Sequence, residues 1–132
     1  MRLYHTTGDD GLRGSLDSQY IPLSVRDQVV WLTNHKEGWI RRKASVGAEA
    51  TTTRITVELP NDEVHSWDEW KAVKFSPEAQ SGLETSARSW NYGEPSTWYV
   101  IERPVPCREW VQIVRIADEA ILWDSSTDQP EH

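Results

Sequence analysis

The sequence predicts an α+β fold: a mostly antiparallel sheet of about five to seven strands with two or three short helices. Strand signals outnumber helix signals, and the helical segments are inserted between strands rather than alternating with them. Apolar runs stop at four residues, the length of short sheet strands rather than of long packed helices. A chain of 132 residues, 15.2 kDa and 37% hydrophobic residues has room for one core. The expected organisation is a single domain over residues 1–123 and a polar tail over 124–132.

Residues 2–7 read as the first strand, ended by the turn residues Gly8-Asp9-Asp10-Gly11. A short helix is expected over 10–16, capped by Asp9 or Asp10 and weakened by Gly11 and Gly14. Residues 28–33 are apolar without alternation, the signature of a central strand buried on both faces. Over 51–59, Ile55, Val57 and Leu59 alternate with Arg54, Thr56 and Glu58, which reads as a half-buried strand ended by Pro60-Asn61-Asp62. Ser66-Trp67-Asp68-Glu69 has the form of a capping box, so a helix starts there. Trp67, Trp70 and Val73, three apart, are its expected core anchors. Ser76-Pro77-Glu78 opens another helix with proline at its first position and a thin apolar stripe of Leu83 and Ala87. Strands over 97–102 and 110–116, and a short edge strand over 120–123, complete the pattern.

Fourteen basic and twenty-one acidic residues give a net charge of −7. This argues against general affinity for nucleic acid or anionic lipid, which needs clustered positive charge. One basic patch, over 35–43, holds four of the fourteen basic residues and a single acid. It reads as a solvated face or loop, with a phosphate contact as the sharper alternative. Cys107 is the only cysteine, so neither an intramolecular disulfide nor a Cys-x-x-Cys metal site is available. His5, His35 and His65 lie thirty residues apart, a spacing without local metal geometry, and no metal is expected. With no apolar run near the roughly 20 residues of a membrane span and no apolar stretch in the first ten, a cytoplasmic location is expected, bacterial or in a phage-infected host. Eight tryptophans against one phenylalanine suit a core whose indole N–H groups find acceptors near the surface. One or two of them would also suit a cleft that stacks a flat heterocycle.

The strands carry a further pattern. Leu3-Tyr4-His5-Thr6-Thr7 and Val29-Val30-Trp31-Leu32-Thr33 both end in hydroxyl-bearing residues. Trp98-Tyr99-Val100-Ile101-Glu102-Arg103-Pro104-Val105-Pro106 is followed by Trp110-Val111-Gln112-Ile113-Val114. This set resembles the ADP-ribosyltransferase fold, in the histidine class shared by diphtheria-toxin-like enzymes and RNA 2′-phosphotransferases: a Leu-Tyr-His-x-Thr strand, an aromatic-x-Thr/Ser strand, and a closing strand pair joined by a proline turn. The resemblance implies a split, twisted sheet clasping NAD as substrate. His5 would bond a ribose hydroxyl, the Thr6 backbone would meet the nicotinamide amide, Trp31 would lie beside the nicotinamide and Thr33 would brace the pocket. The family's glutamate opens the penultimate strand, where this chain has Ser96, Thr97 and Trp98. Of the neighbouring acids, Glu102 shares a face with Trp98 and Val100 by strand parity and is the first choice for the catalytic carboxylate, with Glu94 second. The expected activity is transfer of ADP-ribose from NAD to an acceptor, for instance a protein. The alternative is a non-enzymatic protein that binds NAD or ADP-ribose, or inhibits a partner in the manner of a phage anti-defence factor. RNA 2′-phosphotransfer is disfavoured, because those enzymes want arginines beside the histidine and here Tyr4 precedes His5.

Overall fold

The computed structural model describes residues 1–40, 49–89 and 94–125. Strand β1 (Arg2–Thr7) leads into α1 (Asp9–Ser18), then β2 (Tyr20–Ile21) and β3 (Val30–Thr33). These are followed by β4 (Thr53–Glu58), β5 (Val64–Ser66), α2 (Trp67–Lys74) and α3 (Pro77–Ser89). The last strands are β6 (Trp98–Ile101), β7 (Val105–Pro106), β8 (Trp110–Arg115) and β9 (Ala120–Asp124). Seven strands form one antiparallel sheet in the order β5-β6-β3-β1-β4-β8-β9, and β2 pairs with β7 in a second, two-stranded sheet. The fold is therefore α+β, with a mostly antiparallel seven-stranded sheet and three helices among the described residues.

Each face of the large sheet packs a different core, because side chains alternate along every strand. Leu3, Val30, Leu32, Ile55, Val57 and Ile113 line one face and are covered by Ile21 and Val105 of the small sheet and by Leu12 of α1. The other face carries Val100 and Trp98, under Trp67 and Trp70 of α2 and Ala87 of α3. No residue of β4 or β8 joins this second core, so α2 and α3 cover only the β5-β6-β3 end of that face.

Local signals account for most element starts. The Ser66 hydroxyl accepts the Glu69 N–H at 3.4 Å, and Ser76 Oγ accepts from Ala79 at 3.2 Å ahead of Pro77. Helix α1 differs from its expectation. Its N-cap is Gly8, with Asp9 and Asp10 inside the first turn and no capping side chain at that position. The orphan N–H groups of Asp10 and Gly11 instead donate to the Glu49 carboxylate at 3.1 and 3.0 Å. Gly8 makes room for it: a Cβ there would lie 2.2 Å from Glu49 Cδ. Glu49→Ala is expected to cost about 0.5–2 kcal/mol, the range for a lost N-terminal cap; urea unfolding at neutral pH measures it.

Two burial expectations are corrected. Val73 is 80% exposed; three-residue steps of 100° drift about 60° per step around a helix, so the third residue leaves the face that the first one buries. Strand β4 is not half-buried: Arg54 and Thr56 are 2% and 7% exposed, since β4 lies between β1 and β8 with residues on both sides of it. Strand β3 is interior as expected, although it begins at Val30 rather than 28, because Gln28 adopts a left-handed φ of 59°. Of the basic patch, Arg41, Arg42 and Lys43 lie outside the described residues, as does most of the expected tail.

Candidate functional site

The site expected from the sequence falls where β1 meets β3. Strand β1 pairs with β4 over six positions, Arg2 to Thr7, but with β3 only at Tyr4↔Thr33. Beyond that pair His5 and Thr6 face Leu32 and Trp31 without further register, and side-chain bonds replace the ladder. His5 Nδ1 lies 2.9 Å from the Trp31 carbonyl, and Thr6 Oγ1 donates to the Trp39 carbonyl at 2.7 Å.

These contacts set the chemistry of His5. A carbonyl only accepts, so Nδ1 is the protonated nitrogen and Nε2 of the neutral ring is left as an acceptor. Burial lowers the His5 pKa, opposed in smaller part by the bond to Trp31. The ring is therefore neutral at pH 7 and suited to accept a hydrogen bond from a hydroxyl group. The same shift links His5 to stability. Below the ordinary value of 6.5 the unfolded chain takes up a proton that the folded chain refuses, so stability present above pH 6.5 is lost as pH falls towards the lowered folded value. Melting temperatures measured from about pH 8 down to about pH 5 should fall in the wild type, and His5→Gln should lack that component of the fall.

Thr33 is fully buried, and its Oγ1 accepts the His35 N–H at 3.0 Å. Gly38 packs against it so closely that a Cβ there would stand 3.0 Å from Thr33 Oγ1. The next residue, Trp39, has a φ of 60°, a left-handed conformation that costs a bulky residue about 1–3 kcal/mol and marks a held, strained turn. That turn presents the carbonyl used by Thr6.

Trp31 is half-buried within an aromatic cluster. Its ring centroid lies 5.5 Å from Trp39, 5.7 Å from Trp67, 5.9 Å from Trp70 and 6.4 Å from Trp98. Acceptors serve Trp31 (Asp27 Oδ2, 3.1 Å), Trp67 (Glu84 Oε2, 2.7 Å) and Trp110 (Val105 O, 3.1 Å). The buried Nε1 atoms of Trp70 and Trp98 have none among the described residues: ring-on-ring packing has displaced acceptors, at a desolvation cost of about 1–3 kcal/mol each.

His5, Thr6, Trp31 and Thr33 are thus neighbours at the break but on two faces: His5 pairs with Ile55 on the side of Leu3 and Leu32, whereas Trp31 packs into the second core and Thr33 pairs with Tyr4, opposite His5; Glu102 is farther off. It follows Ile101 at the end of β6, half-exposed, with His65 Nε2 at 3.4 Å and Lys74 Nζ at 3.6 Å. Through the pairs Tyr4↔Thr33 and Leu32↔Tyr99, it stands three positions along and two strands across from His5. Glu94 lies beyond the opposite end of β6, before a 3-10 turn over Pro95–Thr97 whose Thr97 carbonyl accepts from Asn34 at 3.0 Å. Sequence reasoning missed Asp27, the one carboxylate given a hydrogen bond to any of the four clustered residues among the described ones. Its position four before Trp31, ahead of a strand rather than on a helix, offers no periodic signal.

Set against protein-family models, curated proteins and solved structures, the chain matches none. Among the described residues no group of three or more His, Cys, Asp or Glu is placed to hold a metal ion, and no helix is long and apolar enough to cross a membrane.

Proposed function

We propose that the protein binds NAD at the β1–β3 junction and transfers its ADP-ribose group, as an ADP-ribosyltransferase-like enzyme. The supporting observation is the break in the sheet after Tyr4↔Thr33, where the neutral His5 ring bonds the Trp31 carbonyl and Thr6 bonds the turn that Thr33 holds. His5 Nε2 accepts a hydrogen bond from a ribose hydroxyl, Thr6 offers its backbone to the nicotinamide amide, Trp31 flanks the nicotinamide and Thr33 holds the turn that shapes the pocket. In the reaction the C1′–N bond breaks, the electron pair leaves with neutral nicotinamide, and the positive charge develops on the ribose. An acceptor nucleophile then forms the new bond to C1′ and releases its proton to solvent. Negative charge beside the ribose stabilises this transition state. We assign that charge to Asp27, because its carboxylate is anchored on Trp31, whereas that of Glu102 is matched by Lys74 and faces the His65 ring.

The test combines NAD calorimetry with release of nicotinamide and transfer of labelled ADP-ribose into a lysate. His5→Ala is expected to weaken NAD binding by about 1–3 kcal/mol, roughly 5- to 150-fold. A folded His5→Ala protein with wild-type NAD affinity overturns the reading. Binding without nicotinamide release selects the alternative, a protein that holds NAD or ADP-ribose without turning it over; the pairing of Glu102 with His65 and Lys74 favours that alternative if Asp27 proves dispensable.

A further inference from the structure

Among the described residues no helix covers the second face of the sheet over β1, β4 and β8, and a cavity of about 350 Å³ lies there. Its lining includes none of His5, Thr6, Trp31 or Thr33. Alternation along β1 sets Tyr4, which does line it, on the face opposite His5. The volume is at the low end of the roughly 300–1,000 Å³ typical of small-molecule pockets.

Its chemistry is unusual for a chain of net charge −7. Three cations, Arg2, Lys36 and Arg54, line it with one acid, Glu119, so the wall carries two positive charges in excess. The Arg54 side chain is only 3% exposed. Its Nη2 donates to Glu119 Oε1 at 2.7 Å, yet its buried Nη1 has no hydrogen-bond partner among the described residues. An unpaired buried guanidinium donor is costly, and the fork geometry of arginine suits a two-oxygen acceptor. Lys36 Nζ also reaches Glu119, at 3.5 Å, and Arg2 Nε donates to the exposed Glu58 at 3.1 Å. Glu119 is held in place at a cost: its φ is 58°, in a turn pinned by a two-point Arg115–Asp118 ion pair at 3.0 and 2.8 Å. Tyr4, Thr56 and Gln112 supply further polar groups, and Val114 and Ile121 an apolar flank.

We infer that this cavity is a binding site for a small phosphate monoester, with Arg54 and Lys36 gripping the phosphoryl oxygens and the apolar flank taking the organic body. The two-charge excess selects a dianionic phosphate over a singly charged carboxylate. Glu119 is the built-in competitor, occupying one fork of Arg54 and drawing on Lys36. The inference does not depend on the NAD reading, since its lining shares no residue with that site.

Phenyl phosphate is the probe, titrated by calorimetry into the full chain, with inorganic phosphate and benzoate as comparisons. Saturable binding of phenyl phosphate is expected, with benzoate weaker by about tenfold or more. Lys36→Gln, at an exposed position that leaves the fold alone, should weaken it by about 10-fold, and Arg54→Lys by about 10- to 100-fold. Glu119→Gln should tighten it, and although this variant melts lower, phenyl phosphate should raise its melting temperature more than that of the wild type. A purely structural Arg54–Glu119 pair predicts the lower melting temperature without that rescue. The inference is overturned by absence of binding, by binding that Lys36→Gln leaves unchanged, or by phenyl phosphate that NAD displaces and His5→Ala weakens, which would assign the phosphate to the β1–β3 junction. Because Lys36→Gln does not disturb the core, failure of Arg54→Lys to fold leaves the test intact.

Discussion

Trp67→Ala is expected to lower the unfolding free energy by about 3–5 kcal/mol, the range for truncating a fully buried aromatic side chain. Trp67 has no exposed surface and touches most of the second core: Trp98 at 5.6 Å, Phe75 at 5.6 Å, Trp31 at 5.7 Å and Trp70 at 6.2 Å between ring centroids. The surrounding indoles are large and locked by one another, so they collapse poorly into the void. Its Nε1 also donates to Glu84 Oε2 at 2.7 Å, the same oxygen that Lys71 meets at 3.0 Å. After truncation Glu84 still has the lysine. Lys71, whose pKa is raised chiefly by its hydrogen bond to Glu84, should retain that partner, so the loss is mainly one of packing. Urea unfolding is the measurement, and Val73→Ala on the same helix, at an 80% exposed position, is the control expected within about 0.5 kcal/mol of wild type. Equal, small effects of the two substitutions would show that the ring is not buried.

The second large effect concerns the carboxylate of the proposed reaction. Asp27→Asn keeps an oxygen that can accept from Trp31 Nε1 and removes the charge. Nicotinamide release should slow by a factor on the order of a hundred to a thousand in kcat with KM nearly unchanged, because the lost interaction strengthens only as the ribose becomes positive. Glu102→Gln, by contrast, removes a charge already matched by Lys74 and should leave kcat within a few-fold. The reverse result, a silent Asp27→Asn and an inactive Glu102→Gln, would return the role to the residue that strand parity favours. Glu94→Gln belongs in the same series, since its position before the Pro95–Thr97 turn is the nearest in sequence to the start of the penultimate strand.

Much of the fold was legible in local chemistry. The Ser66 box and the Ser76-Pro77 start each depend on a few adjacent residues, and both helices begin where those residues say. The apolar runs of β3 and β6 also read correctly to within two residues at their ends. What escaped was of two kinds. Strands β2, β5 and β7 have two or three residues each, too few for any period to show, and exist because a neighbouring strand offers hydrogen-bonding partners. Burial of polar residues escaped for another reason: Arg54 and Thr56 alternate with apolar neighbours as exposed residues do, and nothing in that pattern tells that the facing side is a walled cavity.

By itself, then, the sequence determined the α+β class, the strand that carries His5 and Thr6, the interior strand that carries Trp31 and Thr33, and the caps of α2 and α3, because each rests on side-chain periodicity or on bonds between near neighbours. Tertiary structure alone decided that β1 and β3 part after one pair and set His5 on the Trp31 carbonyl. It alone left Glu102 against Lys74 and the His65 ring at the end of β6, brought Asp27 to Trp31, and buried Arg54 beside Glu119, 65 residues away. Strand parity gives the side of the sheet a residue takes; which partners meet it there depends on strand order and on loops that close over long separations, and no local pattern encodes those.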